Sequence, residues 1–380
     1  MSELDRLIAE LCPDGVDYVS LGEVCKKIYS GRNKLRSDSG QYSIYGSTGV
    51  IGYSDTFSYE QDAVLVARVG ANCGYVHLAT GCYDVSDNTL IIEPCEDLYD
   101  LKFAYYQLTN MNLNQYAKGG GQPLITAGQL KAFKILVPPL PIQREIVRIL
   151  DNFTELTAEL TAELTARRKQ YEHYRNELLT FDDHVPMVTL GDIATDMYRG
   201  SGIKRDEVTA TGTPCVRYGE IYTTYNIWFD TCVSHTQTGS KTFGHGDILF
   251  AITGESVVEI AKSCVYMGHE KCFAGGDIVV MKHNQNPKYV SYALSTTNAQ
   301  AQKSKGKVKS KVVHSSIPAL KKIAIPIPSL EEQERIVAML DRFDALTTNI
   351  TSGLPSEIDA RQKQYEYYRD KLLTFKEADA

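Results

Sequence analysis

From residue 146 onward the apolar positions run Ile146, Leu150, Phe153, Leu156, Leu160, Leu164, Tyr171, Tyr174 and Leu178. Steps of three, four and seven keep them on one helical stripe, close to the seam of a coiled coil. Pro138, Pro139 and Pro141 stand just upstream, where a proline opens a helix but does not continue one. The pattern predicts a helix from about Gln143 to Leu179, ~55 Å long at ~1.5 Å per residue. A related stretch begins near Ile336 and is interrupted by Gly353-Leu354-Pro355, so a kink or break is expected before Ser356. Each helix has an apolar stripe to bury, and packing the two together is the simplest solution.

Elsewhere the pattern is shorter. AVLVARV (63–69), TLIIE (89–93), DILFAI (247–252) and DIVVM (277–281) have strand length and β-branched content. Glycine-rich turns separate them at 45–53, 70–74 and 273–277, and segments near 101–109 and 287–296 read as short helices. The expected class is α+β: two mixed α/β domains in tandem, each followed by a long helix, the helices packing as an antiparallel coiled coil. The expected divisions are 1–138 (N-terminal arm and first body), 139–186 (central helical region), 187–327 (second body) and 328–380 (C-terminal helical region).

The chain repeats itself. LKAFKILVPPLPIQREIVRILDNFTEL (130–156) returns as LKKIAIPIPSLEEQERIVAMLDRFDAL (320–346), an offset of 190 that lays Leu150 on Leu340 and Phe153 on Phe343. RRKQYEHYRNELLTF (167–181) returns as RQKQYEYYRDKLLTF (361–375), and YVSLGEVCKKIYSG (18–31) is echoed by MVTLGDIATDMYRG (187–200). Each half is a variable body followed by a shared helical tail.

Composition excludes several classes. Apolar residues make up 43% and charged residues 23%, the balance of a globular protein. No apolar run approaches the ~18 residues of a membrane span, and the N-terminal segment has no long apolar stretch of a secretory signal. Nine cysteines without a C-x-x-C pair fit reduced thiols in the cytoplasm rather than a disulfide or zinc framework. There is no G-x-x-x-x-G-K-[ST], no H-E-x-x-H, no G-x-S-x-G and no N-P-P-[YF] or D-P-P-[YF] run. The eight histidines lack metal-ligand spacing. Neither catalysis nor a metal site is expected of this chain.

A formal charge of −7 argues against a uniformly basic coat but not against local patches. Lys303, Lys305, Lys307, Lys309 and Lys311 alternate through AQKSKGKVKSKVV. In an extended segment they would form one row spaced by ~6.6 Å, close to the phosphate spacing of one DNA strand. Arg32, Lys34 and Arg36 follow Tyr29-Ser30-Gly31, and Arg199, Lys204 and Arg205 stand at the matching Tyr198-Arg199-Gly200, so both bodies offer positive charge from one loop. The lysine row falls on the almost uncharged LNQYAKGGG (113–121) of the first half, so a common scaffold presents two different surfaces. Arg68, Gln122 and Arg217, near glycine-rich turns, are candidates for base-edge contacts.

These residues resemble a known family, the DNA specificity subunit of type I restriction-modification systems. The resemblance spans essentially the whole chain and rests on LGEV (21–24), LGDI (190–193), GDILFAITGE (246–255), FAGGD (273–277) and the two tails. It implies that each body is a target-recognition domain reading one half of a split sequence in double-stranded DNA. It implies that the helices separate the two heads and dock two methylation subunits, with Tyr171, Tyr174, Arg175, Tyr365, Tyr368 and Arg369 as partner-binding candidates. The chain would be a non-catalytic, cytoplasmic subunit without a cofactor of its own. The methylation partner would supply S-adenosylmethionine, base flipping and adenine-N6 methylation, and restriction subunits ATP- and Mg-dependent translocation and cleavage. The competing reading is a non-enzymatic coiled-coil adaptor whose bodies bind protein or ligand, which leaves the two matched basic loops unexplained.

One feature of the first tail bears on spacing. TELTAELTAELTARR repeats a Thr-Ala-Glu-Leu tetrad, and four helical residues rise ~6 Å while turning ~400°. That rise is close to two base pairs, ~6.8 Å. The tetrad count is therefore expected to set the gap between half-sites.

Overall fold

The computed structural model describes residues 2–34, 36–119, 122–306, 312–348 and 354–378, with only the backbone of 345–348. The chain forms two compact units, residues 1–161 with 357–380 and residues 162–356. Both are built on the same plan, and both follow from the short apolar runs.

In the first unit, antiparallel strands Cys25–Ser30, Thr89–Pro94, Ala63–Ala67 and Val76–Ala79 form one sheet in that order. Ala63–Ala67 is buried on both faces, which is why its sequence shows no polar alternation. Val64, Val66, Leu90 and Ile92 face one core with Phe103 and Leu108 of the helix Leu101–Asn110. Ala63, Leu65 and Ile91 face the other, with Tyr83 and Val85 of a three-stranded sheet. The second unit repeats this division. Ile248, Phe250, Val279 and Met281 join one core, and Leu249, Ala251, Ile278 and Val280 the other. Here both sheets have five strands. Strands at 63–67, 89–94, 248–251 and 278–283 and helices at 101–110 and 287–294 match the pattern-based expectations.

The Leu-Gly pair that opens each body closes it. Leu21 is fully buried, and its N–H donates to Phe133 O at 2.8 Å while Gly22 donates to Lys131 O at 3.0 Å. Leu190 and Gly191 donate to Ile323 O and Lys321 O at 2.8 and 3.0 Å. The strand before each pair zips antiparallel onto the strand before each tail, Tyr18–Ser20 on Lys134–Leu136 and Met187–Thr189 on Ala324–Pro326.

The central helix runs Leu140–Leu178, with Pro141 in its first turn. Its base is pinned by Gln143, which is fully buried. The Gln143 amide donates to Pro138 O at 2.6 Å and Leu98 O at 2.8 Å, and its carbonyl accepts from Asp100 N at 2.8 Å. Gln333 repeats the arrangement with Pro328 O at 2.9 Å and Asn286 N at 3.0 Å. About two turns further on, Asp151 accepts from Lys102 Nζ and Tyr106 OH, both at 2.6 Å, and Asp341 accepts from Lys288 and Tyr292, both at 2.7 Å. Replacing Gln143 with leucine puts an apolar side chain in the fully buried amide's place and removes the partners of Pro138 O, Leu98 O and Asp100 N. It is expected to destabilise the first unit by about 2–4 kcal/mol, measured by denaturant unfolding.

The second tail is split into helices Leu330–Thr348 and Leu354–Leu372, with Pro355 in the first turn of the latter. Gly353, where the break was expected, lies outside the described residues. Phe153 of the central helix stacks on Tyr368 (centroids 5.5 Å apart) and Tyr174 on Phe343 (5.9 Å), the same two repeat positions with roles exchanged. In the first unit the C-terminal segment joins the N-terminal arm by hydrogen bonds, Val16 N to Lys376 O at 2.9 Å and Ala378 N to Val16 O at 3.3 Å.

Candidate nucleic-acid interface

Each candidate edge begins where the first long strand of a body passes over the neighbouring sheet. A Cβ on Gly31 would stand 2.4 Å from both Val85 O and Ser86 O, and one on Gly200 2.1 Å from Gly275 O and 2.5 Å from Ala274 O. Only glycine permits these crossings, and both basic loops leave from them. Hydrogen bonds then fix the loops: Arg32 N and Asn33 N reach Val85 O at 3.0 and 2.9 Å, and Ser201 N reaches Ala274 O at 2.9 Å.

The frame extends alike in both bodies. Arg68 N donates to Asn88 O and Ile252 N to Asp277 O, both at 2.9 Å. Ile125 N then donates to Arg68 O at 2.9 Å, and Ser315 N to Ile252 O at 2.8 Å. Arg68 and Ile252 therefore occupy one backbone position with unlike side chains.

In the first body Arg32, Lys34, Arg36 and Gln122 are exposed. Gly70 N donates to Pro123 O at 3.1 Å, which brings Gln122 to the same edge as Arg68. Arg68 is half-buried, its Nη1 donating to Ser30 Oγ at 2.9 Å while its buried Nε has no partner among the described residues. In the second body Lys204 and Arg205 are exposed. Two arginines there are engaged within the body: Arg199 pairs with Asp277 Oδ1 at 2.5 Å and also donates to Gly276 O. Arg217 lies 3.4 Å from the buried Glu220, which also accepts from Ser234 Oγ at 2.7 Å. These pairings lower the positive charge that the second edge presents.

The lysine row needs correction. Lys303 is on the helix Thr297–Ser304, 4% exposed, its Nζ donating to Leu294 O at 2.9 Å and Ser263 Oγ at 3.3 Å. Burial pulls its pKa down to about 7. A helix, not an extended strand, carries it, so alternation does not place it on a cationic face. Lys305 is exposed at the end of that helix, and Lys307, Lys309 and Lys311 lie outside the described residues.

The helical candidates also need correction. Tyr171 is buried in the second unit, with Arg175 over its ring at 5.6 Å. Tyr365 and Arg369 repeat that contact at 5.9 Å in the first unit, and Tyr368 is half-buried on Phe153. Tyr171 is part of the second unit's core and Tyr365 packs against the first unit's, while Tyr368 lies outside both with its ring on Phe153. Tyr174 is exposed at one edge.

Sequence reading missed an apolar hairpin beside the first basic loop. Strands Tyr42–Gly46 and Gly49–Ser54 leave Val50 and Tyr53 exposed, and the site of a Cβ on Gly52 is 3.5 Å from Arg36 Cβ. Phe57 packs edge-on against Tyr42 nearby at 4.9 Å. The signal in the sequence is the apolar Val50, Ile51 and Tyr53 directly after the turn glycines of YGSTGVIGY. Tyr75, 62% exposed and tilted against His77 at 5.2 Å, was missed as well. Among the described residues, no group of three or more metal-ligating side chains stands together, and no helix is long and apolar enough to cross a membrane.

Two bodies that share a backbone frame and differ in the side chains they present define a duplicated recognition protein. The chain matches the type I restriction modification DNA specificity domain over residues 13–167 and 183–360, and it belongs to that family. It is 33% identical to the specificity subunit of a type I restriction enzyme of Escherichia coli, with 99% of this chain and 98% of that one covered. It is 31% identical to a putative type I specificity subunit of Haemophilus influenzae, over 95% and 96%. Among solved structures, the S subunit of a type I restriction-modification system from M. genitalium shares its fold with a TM-score of 0.53 at 17% identity, covering 94% of this chain and 95% of that one. A type I restriction-modification chain solved for complex assembly and conformational transition gives 0.63 at 16% identity, over 96% and 98%.

Proposed function

We propose that this chain reads a bipartite DNA sequence, one half-site per body, as the non-catalytic specificity subunit of a cytoplasmic type I restriction-modification complex. The observation that carries the reading is the shared frame around Gly31 and Gly200, which holds Arg68 in one body and Ile252 in the other. Common backbone geometry positions each body against phosphates, and unlike side chains give each its own base preference. Two methylation subunits dock on the helical regions and supply S-adenosylmethionine and the methyl transfer. Restriction subunits add the ATP- and Mg-dependent steps. With Tyr171 in the second core, Tyr365 against the first, and Tyr368 and Tyr174 each stacked on a phenylalanine, Tyr367 is the better docking candidate.

The tetrad repeat supports a spacer role, because it lies wholly within the unbroken helix Leu140–Leu178 that follows the first body. Mapping methylated adenines in the host with and without the gene should reveal one split motif that depends on it. Inserting one further Thr-Ala-Glu-Leu after Leu164 should lengthen the nonspecific gap and leave both half-sites unchanged. A map with the gap unaltered would refute the spacer role, and a map indifferent to the gene would refute the function.

A further inference from the structure

We infer that Cys232 and Cys272 form a disulfide site in the second body, closed by a peroxide oxidant. Their sulfurs are 3.5 Å apart, with the Cys232 thiol donating to Cys272 Sγ. Both are buried in the core that holds Phe229, Phe243 and Tyr266. A disulfide needs sulfurs ~2.05 Å apart, so side-chain rotation has little distance to cover. The two residues are remote in sequence: Cys232 sits in the connection from Trp228–Phe229 to Ser234–Thr236, and Cys272 opens the strand Cys272–Ala274.

The roles of the two thiols differ. Cys232 donates its S–H to Cys272 Sγ at 3.5 Å, a bond that favours the thiolate at Cys272, and the Cys272 S–H in turn points to Glu270 O at 3.6 Å. Cys272 thiolate attacks one oxygen of hydrogen peroxide, the O–O bond breaks, and sulfenic acid and hydroxide form. The Cys232 sulfur then attacks the sulfenic sulfur and expels its oxygen as water, its own proton completing the balance. Overall two thiols are oxidised to a disulfide and one peroxide is reduced to two waters.

The bond would act beneath the second recognition edge. Cys272–Ala274 lies between Thr213–Val216 and Thr242–Phe243 and leads into Gly275–Asp277, on which Gly200 and Arg199 rest. In the first body the equivalent strand, Tyr83–Val85, has a tyrosine at this place, so the device belongs to one half only.

The test treats the reduced full-length chain with graded hydrogen peroxide, alkylates it in denaturant, and maps the peptides by mass. The expected product is a linked pair joining residues 232 and 272, lighter by two hydrogens and restored by dithiothreitol. It should form equally in a Cys82→Ser background, which removes the exposed cysteine. In Cys232→Ala the link should be absent and dimedone should trap a sulfenic acid at Cys272. Recovery of both cysteines alkylated at peroxide levels that convert Cys82 would overturn the proposal, as would a link from Cys272 to Cys215.

Discussion

Gly200→Ala is expected to cost the second unit about 3 kcal/mol or more and to erase recognition of one half-site while sparing the other. The new methyl carbon would stand 2.1 Å from Gly275 O and 2.5 Å from Ala274 O. Both obstacles are backbone carbonyls, so no side-chain rotation relieves the clash, and the strand Ala194–Arg199 must lift from the loop beneath it. The Gly200 N–H bond to Ile278 O, 2.8 Å long, goes with it. Denaturant unfolding should show the loss in one of two transitions, since residues 162–356 form a unit of their own. Gly31→Ala should do the same to the other unit, with its Cβ 2.4 Å from two carbonyl oxygens. A loss below about 1 kcal/mol would mean that the crossing is not rigid and does not set the edge.

Lys303→Met is expected to stabilise the second unit by about 1–3 kcal/mol near pH 6.5, against the usual direction of a core substitution. Burial is the cause: it lowers the Lys303 pKa from 10.5 to about 7. Below about pH 7 both folded and unfolded chains carry the proton, and the folded state bears the full desolvation cost. Between about 7 and 10.5 the unfolded chain holds a proton that the folded chain lacks, so stability rises with pH, by up to ~1.4 kcal/mol per unit. Methionine removes that slope and returns part of the gain by leaving Leu294 O and Ser263 Oγ without their donor. The difference between the two proteins should therefore shrink as pH is raised from 7 to 10. Parallel pH profiles would contradict the buried amine.

Periodic features were the most legible. The central helix was expected over about 143–179 and runs Leu140–Leu178, because nine apolar positions agree on one stripe. Strands such as Ala63–Ala67 were legible as short apolar runs bounded by glycine. Burial within a helix was not. Tyr171 and Tyr174 belong to one stripe, yet one is buried and the other exposed, since a stripe has a centre and an edge. Lys303 misled for a related reason: alternation implies one face only in an extended chain, and the residues from Thr297 to Ser304 are helical. The basic edges were legible as charge, but their partners were not. Arg199 meets Asp277 and Arg217 meets Glu220, and only the fold brings the first pair together. Paired Leu-Gly motifs were visible as a repeat, while their work as closures of each body needed the hydrogen bonds to Phe133, Lys131, Ile323 and Lys321.

The most direct measurement replaces residues 187–327 with the corresponding segment of a relative and sequences the methylated adenines in the host. Two independent reading edges predict that one part of the split motif changes to the donor's while the other part stays as it was. A motif intact in both parts, or altered in both, would contradict them.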